Sequence, residues 1–176
     1  MTDDLRPDYG ILTDEMIDAI RSLVQGKTVV DLGAGICAKA RFLKGLGARI
    51  VIAVDRIDMP PTEGVERMVG RFEEVAEALP DEIDVGFMAW PQNYEVPGLV
   101  EILGRCKVVI YVGNNFDGHR CGFAELFEFM LTRTLLHDIG LVENSLVIVG
   151  DKLDGKREPT LDEKAGMTLT LTPCPF

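Results

Sequence analysis

Asp31, Gly33, Gly35 and Asp55 stand within residues 28–55, TVVDLGAGICAKARFLKGLGARIVIAVD, at intervals that suit a nucleoside ligand. Glycines in a turn let the backbone approach a ligand and take up dihedrals that other residues resist. A helix after the turn aims its free N–H groups back at it. An acid closing the next strand, about twenty residues on, can accept hydrogen bonds from both ribose hydroxyls. The run from Gly33 to Ala38 also fits the GxGxxA turn of a dinucleotide site, which makes an NAD-dependent oxidoreductase an alternative reading. Asp31 argues against it, because a carboxylate at the end of the first strand suits a cationic group and sits badly beside a pyrophosphate.

A second group of residues, Trp90-Pro91-Gln92-Asn93-Tyr94, follows an apolar run at 83–89. That is the carboxyl end of a middle strand, where open α/β sheets place their ligands. Trp90 either plugs the sheet edge, as buried tryptophans usually do, or lines the site. Asn93 and Tyr94 can hold a substrate amine or hydroxyl through hydrogen bonds; as solvated loop residues they would do nothing of the kind. His119, in the loop after the fifth strand, has the right proton affinity for a general base, although a lone loop histidine is more often incidental. His137 reads as a residue beside a helix C-terminus and its dipole. The cysteines at 37, 106, 121 and 174 form no CxxC pair, and no histidine joins them at metal-site spacing. They read as reduced structural thiols, with only Cys37 and Cys121 placed where a ligand could reach them, and no metal is expected.

The elements that must position these groups follow from periodicity. Residues 13–25 place apolar side chains at helical spacing, begin on Thr13 with acids in the first turn, and would bring Tyr9 and Gly10 over the glycine turn. Strands are expected from residues 28, 49, 66, 83, 107, 145 and 167. A helix runs from the glycine turn to about 44, and others cover 72–79, 97–105 and 122–136. The Pro60-Pro61 pair makes the segment after Asp55 a loop. Such alternation implies right-handed crossovers and a mostly parallel sheet covered on both faces, with the last two strands as an antiparallel hairpin at its edge.

With 176 residues the chain suits a single domain over 1–176, with a short N-terminal segment at 1–12 and a polar connector at 151–166. Apolar residues make up 47% and charged residues 27%, the balance of a folded globular protein. A net charge of −11 disfavours unaided binding to nucleic acid, whose phosphates are held chiefly by lysine and arginine. The N-terminus lacks a basic and apolar leader, and no apolar run approaches the roughly 20 residues that span a bilayer. A cytoplasmic protein without membrane contact is the expectation; oligomeric state is not legible.

Asp31-Leu32-Gly33-Ala34-Gly35, Asp55 closing the second strand, and the AWPQNY loop after the fourth together resemble the class I S-adenosylmethionine-dependent methyltransferases. The resemblance spans nearly the whole chain and implies a Rossmann-like methyltransferase fold. AWPQNY is similar to that family's Asn/Asp-Pro-Pro-Tyr motif. The DYGILT start, the Trp-Pro step and VIYVGNNFDG are also similar to small bacterial and fungal methyltransferase-like proteins with SWPP and YIGE-type segments. The resemblance implies S-adenosylmethionine as cofactor, with Gly33, Ala34 and Gly35 against its amino-acid moiety and ribose and Asp31 near its ammonium. Asp55 would take the ribose hydroxyls, Arg56 or Ile57 would flank adenine, and Phe72 or Glu73 would border the base. Ala89, Trp90 and Pro91 would line the methyl-donor side. The acceptor would be a small molecule or a protein side chain. Cys37 replaces the family's third glycine, Ala89 its catalytic Asn or Asp, and Gln92 its second proline. These departures leave a third reading, a degenerate methyltransferase fold serving as a binding or scaffold subunit.

Overall fold

The computed structural model describes residues 12–58, 61–114, 121–141 and 144–152. Seven strands form one sheet: β1 (Thr28–Leu32), β2 (Ile50–Asp55), β3 (Glu66–Val69), β4 (Ile83–Ala89), β5 (Cys106–Gly113), β6 (Arg133–Leu141) and β7 (Asn144–Lys152). Their order across the sheet is β3-β2-β1-β4-β5-β7-β6. Five neighbours pair in parallel, and β7 runs antiparallel to both β5 and β6, so six strands point one way and β7 against them. Helices α1 (Asp14–Val24) and α2 (Ala38–Gly45) pack on one face. Helices α3 (Phe72–Val75), α4 (Leu99–Gly104) and α5 (Ala124–Leu131) pack on the other. This is the Rossmann-like sheet that the sequence implies.

Each face has its own core, because successive strand residues point to opposite sides. Val30 and Leu32 of β1 join Leu103, Leu126 and Met130 on the α4 and α5 side. Val29 joins Ile20, Val24 and Leu43 on the α1 and α2 side, and Asp31 is turned to that same side by alternation. Helix α1 starts as expected, with the Thr13 hydroxyl accepting from the Met16 N–H at 3.3 Å. Reversal of the strand order between β1 and β4 opens the crevice where such sheets hold ligands.

The C-terminal third departs from the expectation. The helix expected over 122–136 stops at Leu131, and residues 133–141 form β6. Thr132 ends the helix by donating its hydroxyl to the Phe129 carbonyl at 2.7 Å. Leu135, which fits the helical stripe, and Leu136 lie exposed on the outermost strand instead. The hairpin is therefore β6–β7, and β7 is inserted between β5 and β6 rather than lying outside them. His137 consequently sits on a strand and not beside a helix end. The first two residues of the expected connector, 151 and 152, instead end β7, while its remainder, the strand expected at 167, and Tyr9, Gly10, His119 and Cys174 lie outside the described residues. The helix expected over 72–79 is a four-residue α-helix continued by a 3₁₀ turn at Ala76–Ala78.

A buried arginine pins β6 in this arrangement. The Arg133 guanidinium, 5% exposed, donates to the carbonyls of Gly150 on β7 and of Cys106 and Lys107 at the start of β5, and stands 5.2 Å from the Phe129 ring centroid. Each bond satisfies a carbonyl that would otherwise lose water without a partner. Arg133→Ala should lower unfolding free energy by about 2–4 kcal/mol in urea denaturation, by orphaning these buried acceptors. Arg133→Lys should recover only part of it, since an ammonium lacks the fork that reaches two strands at once.

Candidate functional site

Leu32 hands the chain from β1 to a turn whose backbone is stitched to β2. The N–H groups of Gly33 and Ala34 both donate to the Val54 carbonyl, at 2.9 and 3.1 Å. The Gly35 N–H donates to Asp55 Oδ2 at 2.8 Å, and Asp55 Oδ1 accepts from the Ile57 N–H at 3.0 Å. Gly33 and Gly35 have φ of 80° and 51°, which glycine adopts without strain. A Cβ at either would meet nothing within 4 Å, so free space adjoins both residues. Cys37, standing where the resembled family has a third glycine, also takes a left-handed φ of 59° as it leads into α2.

Over the carboxyl ends of β1, β2 and β4 opens a cleft of about 350 Å³, within the usual range for small-molecule sites. Gly33, Asp55 and Arg56 line its floor, and Arg71, Phe72 and Glu73 line the side toward β3. Ala89, Trp90, Pro91, Gln92 and Tyr94 line the side that follows β4. Of the residues singled out in the sequence, Gly33, Asp55, Arg56, Phe72, Glu73, Ala89, Trp90, Pro91 and Tyr94 are thus gathered in one place. Ala34 and Gly35 instead border a small neighbouring hollow of about 10 Å³ with Cys37 and Arg67, room for roughly one water. Asn93 does not line the cleft. Glu95, Val96, Pro97 and Leu99 do, although nothing in their types or spacing marks them.

The wall after β4 is held by its backbone. The Trp90 N–H donates to the Val112 carbonyl of β5 at 2.7 Å, and the Pro91 carbonyl accepts from the Gly122 N–H at 3.1 Å. Trp90 has a φ of 53°, uncommon for a bulky side chain, and such strain costs about 1–3 kcal/mol where it is held. Its buried indole N–H has no partner among the described residues. At the far end of this loop Gly98 lies against the start of α3, where a Cβ would come within 2.5 Å of the Glu73 backbone nitrogen. Only glycine lets the loop close on α3 so tightly.

Asp31 lies beneath the turn, not in the cleft. It is 1% exposed, between β1 and α2, and Oδ2 has no hydrogen-bond partner. Burial raises its pKa from 3.8 to about 7, against the pull of the Lys39 ammonium, and the Asp55 charge adds to the rise. Lys39, 7% exposed on α2, is in turn lowered to about 8 by burial, against the attraction of Asp31. Sequence reading passed over Lys39; its one signal is a charge within the otherwise buried helix face of Ala40 and Leu43. Cys37, Cys106 and Cys121 are buried thiols outside any disulfide, and burial raises the pKa of Cys37 and takes that of Cys106 to about 12. None of the three lines the cleft. Among the described residues no three acids, histidines or cysteines come together as a metal site, and no helix is long and apolar enough to cross a membrane.

A raised carboxyl pKa favours the folded state at low pH and loses that advantage as pH climbs toward the folded value. Asp31 should therefore weaken the fold between about pH 4 and pH 7, while Lys39 stays protonated in both states over that window. Urea denaturation at pH 5 and pH 7 should show an Asp31-dependent loss of order 2 kcal/mol. The double variant Asp31→Leu, Lys39→Met should lack that slope and be at least as stable as the parent at pH 7, since an apolar replacement of a buried pair is often neutral or better.

No protein-family model matches the chain, and no curated protein matches it in sequence. Solved structures match its fold. Precorrin-6y C5,15-methyltransferase from Geobacter metallireducens superposes with a TM-score of 0.58 at 15% identity, over 86% of this chain and 97% of that one. A Thermoplasma acidophilum protein gives 0.57 at 18% identity, over 86% and 94%. Ribosomal protein L11 methylase from Lactobacillus delbrueckii subsp. bulgaricus gives 0.55 at 13% identity, over 84% and 83%. At such identities the likeness is one of fold, and the fold is that of class I methyltransferases.

Proposed function

We propose that the cleft binds S-adenosylmethionine and that the protein transfers its methyl group to a small molecule or a protein side chain. The observation that carries this reading is the open glycine turn set against the Asp55 carboxylate at the floor of a cleft of fitting size. When bound, the cofactor supplies an electrophilic methyl carbon on a sulfonium. Each carboxylate oxygen has a second lone pair, so Asp55 can accept from ribose hydroxyls while keeping its backbone bonds. Arg56, Phe72 and Glu73 border the base, and Gly33 brings bare backbone up to the ribose and amino-acid portion, with Ala34 and Gly35 shaping the turn from the neighbouring hollow. Ala89 faces the donor side, with Trp90, Pro91 and Tyr94 on the acceptor side and Asn93 in the same loop outside the cleft's lining.

Asp31 contributes as a positioning residue, through the packing of α2 beneath the turn, rather than by touching the cofactor's ammonium. Transfer by direct displacement needs the nucleophile, methyl and sulfur held in line more than it needs an acid or base. Ala89 at the position of the family's Asn or Asp is compatible with that requirement. The fold neighbours named as methyltransferases support the same reading over a dinucleotide site.

Isothermal titration should show saturable binding of both S-adenosylmethionine and S-adenosylhomocysteine, and weaker or no heat with NADH. Asp55→Ala should weaken both adenosyl compounds about tenfold or more, because it removes charged acceptors and releases the Gly35 N–H together. A folded protein that gives no heat with either compound at millimolar concentration would overturn the proposal.

A further inference from the structure

We infer that residues 167–171 of this chain pair along the outer edge of β6 as an eighth strand, antiparallel to it. Among the described residues β6 is the last strand of the sheet and is bonded on one side only, to β7. An open edge presents a row of unpaired N–H and C=O groups, and natural sheets keep such edges short, blunted or covered. The opposite edge, β3, is only four residues long, whereas β6 has nine. Register shifts between Arg133 and Leu135 and between Leu135 and His137 blunt its first half. Residues 137–141 are not blunted, for they lie in unbroken register with residues 144–148 of β7. Leu135 and Leu136 beside them are 45% and 43% exposed.

A segment that fits this edge is present in the chain itself. Met167, Leu169 and Leu171 alternate with Thr168 and Thr170, the period of a strand with one apolar face, and none of the five is charged. β7 ends at Lys152, opposite Arg133 at the start of β6. From there the far end of β6 is about 30 Å away, at about 3.3 Å per residue. Residues 153–166, fully extended, cover about 46 Å. Laid antiparallel with residue 167 beside residue 141, the segment sets Leu169 opposite Ile139 and Thr170 opposite Asp138. Directly opposed residues share a face of the sheet. Ile139 pairs with Leu146 and is half-buried against the core on the α1 and α2 side, so Leu169 widens that core. Asp138 pairs with Val147 of the other face, where the Thr170 hydroxyl can donate to its carboxylate. A slip of one residue would exchange these faces and expose the apolar set. Pro173 and Pro175 follow and have no N–H to give, so the ladder stops where the register of β6 is already broken. A tethered segment acts at about millimolar effective concentration, which a second copy of the chain reaches only when the protein itself is that concentrated.

Amide hydrogen exchange followed by NMR on the full chain, at two protein concentrations about tenfold apart, tests the pairing. Alternate N–H groups of β6 bond β7, and the others point outward. The outward N–H groups of residues 137–141 should exchange about a hundredfold or more slower than free peptide, to the same extent at both concentrations. Cross-strand NOEs between Leu169 and Ile139 should identify what covers them. The double variant Leu169→Pro, Thr170→Pro removes two neighbouring N–H groups, one of which must face β6. It should speed exchange of the outward set about tenfold or more, while amides of β1 and β4 in the same sample keep their rates. Should that variant not fold, the parent's own exchange and NOEs still decide. Outward amides exchanging at free-peptide rates in the parent, protection that grows with protein concentration, protected amides without NOEs to residues 167–171, or protection unchanged in a folded double variant would each overturn the inference.

Discussion

The carboxylate of Asp55 holds the turn on which the cleft is founded. One oxygen accepts from Gly35 in the turn after β1, and the other accepts from Ile57 just past β2. Hydrogen bonds to an ionised acceptor are shorter and stronger than neutral ones. A glycine turn would otherwise be among the looser parts of the chain, because glycine gives up the most conformational freedom on ordering. Here three successive N–H groups of the turn are spent on β2, two on Val54 and one on Asp55. The floor of the cleft is thereby fixed to the register of β1 on β2, where Leu32 faces Val54.

Beneath this floor lies a charge arrangement of a different kind. Asp31 and Lys39 are both buried, and desolvation draws their proton affinities toward each other, to about 7 and about 8. Such a pair adds little net stability, since removing two charges from water offsets most of their attraction. What it does is separate the roles of two acids that look alike in the sequence. Asp31 is turned toward α2 and meets an internal ammonium, whereas Asp55 is turned toward the turn and the cleft. Asp55 in turn raises the proton affinity of Asp31, so the charge at the floor is felt by the group below it.

The parts of the fold legible in the sequence are those fixed by local signals. The stretch 28–55 reads correctly because an apolar strand, a glycine turn and a closing acid each dictate their own backbone. Thr13 announces α1 because its hydroxyl caps the helix that follows. The region after Leu131 misreads because its signal is not local. Leu135 continues a helical stripe, but the deciding interactions are the bonds of Arg133 to carbonyls on β5 and β7, distant in sequence. The cleft was legible where a residue type is demanding, as at Gly33, Asp55 and Trp90. It was not legible at Glu95, Val96 and Pro97, which reach the cleft only because Gly98 brings their loop down onto α3. Nor does Asp31 declare which way it points; the buried Lys39 settles that.

The wall after β4 shows how the cleft divides structure from chemistry. Its frame consists of backbone contacts: Trp90 N–H on Val112, the Pro91 carbonyl on Gly122, and Gly98 against Glu73. None of these depends on what the intervening side chains are, although each constrains where they point. A strained Trp90 is held in place at its own N–H and at the next carbonyl, so its ring is presented by the frame rather than by packing alone. The side chains carried between the anchors, Gln92, Tyr94 and Glu95, line the cleft from positions that this frame sets.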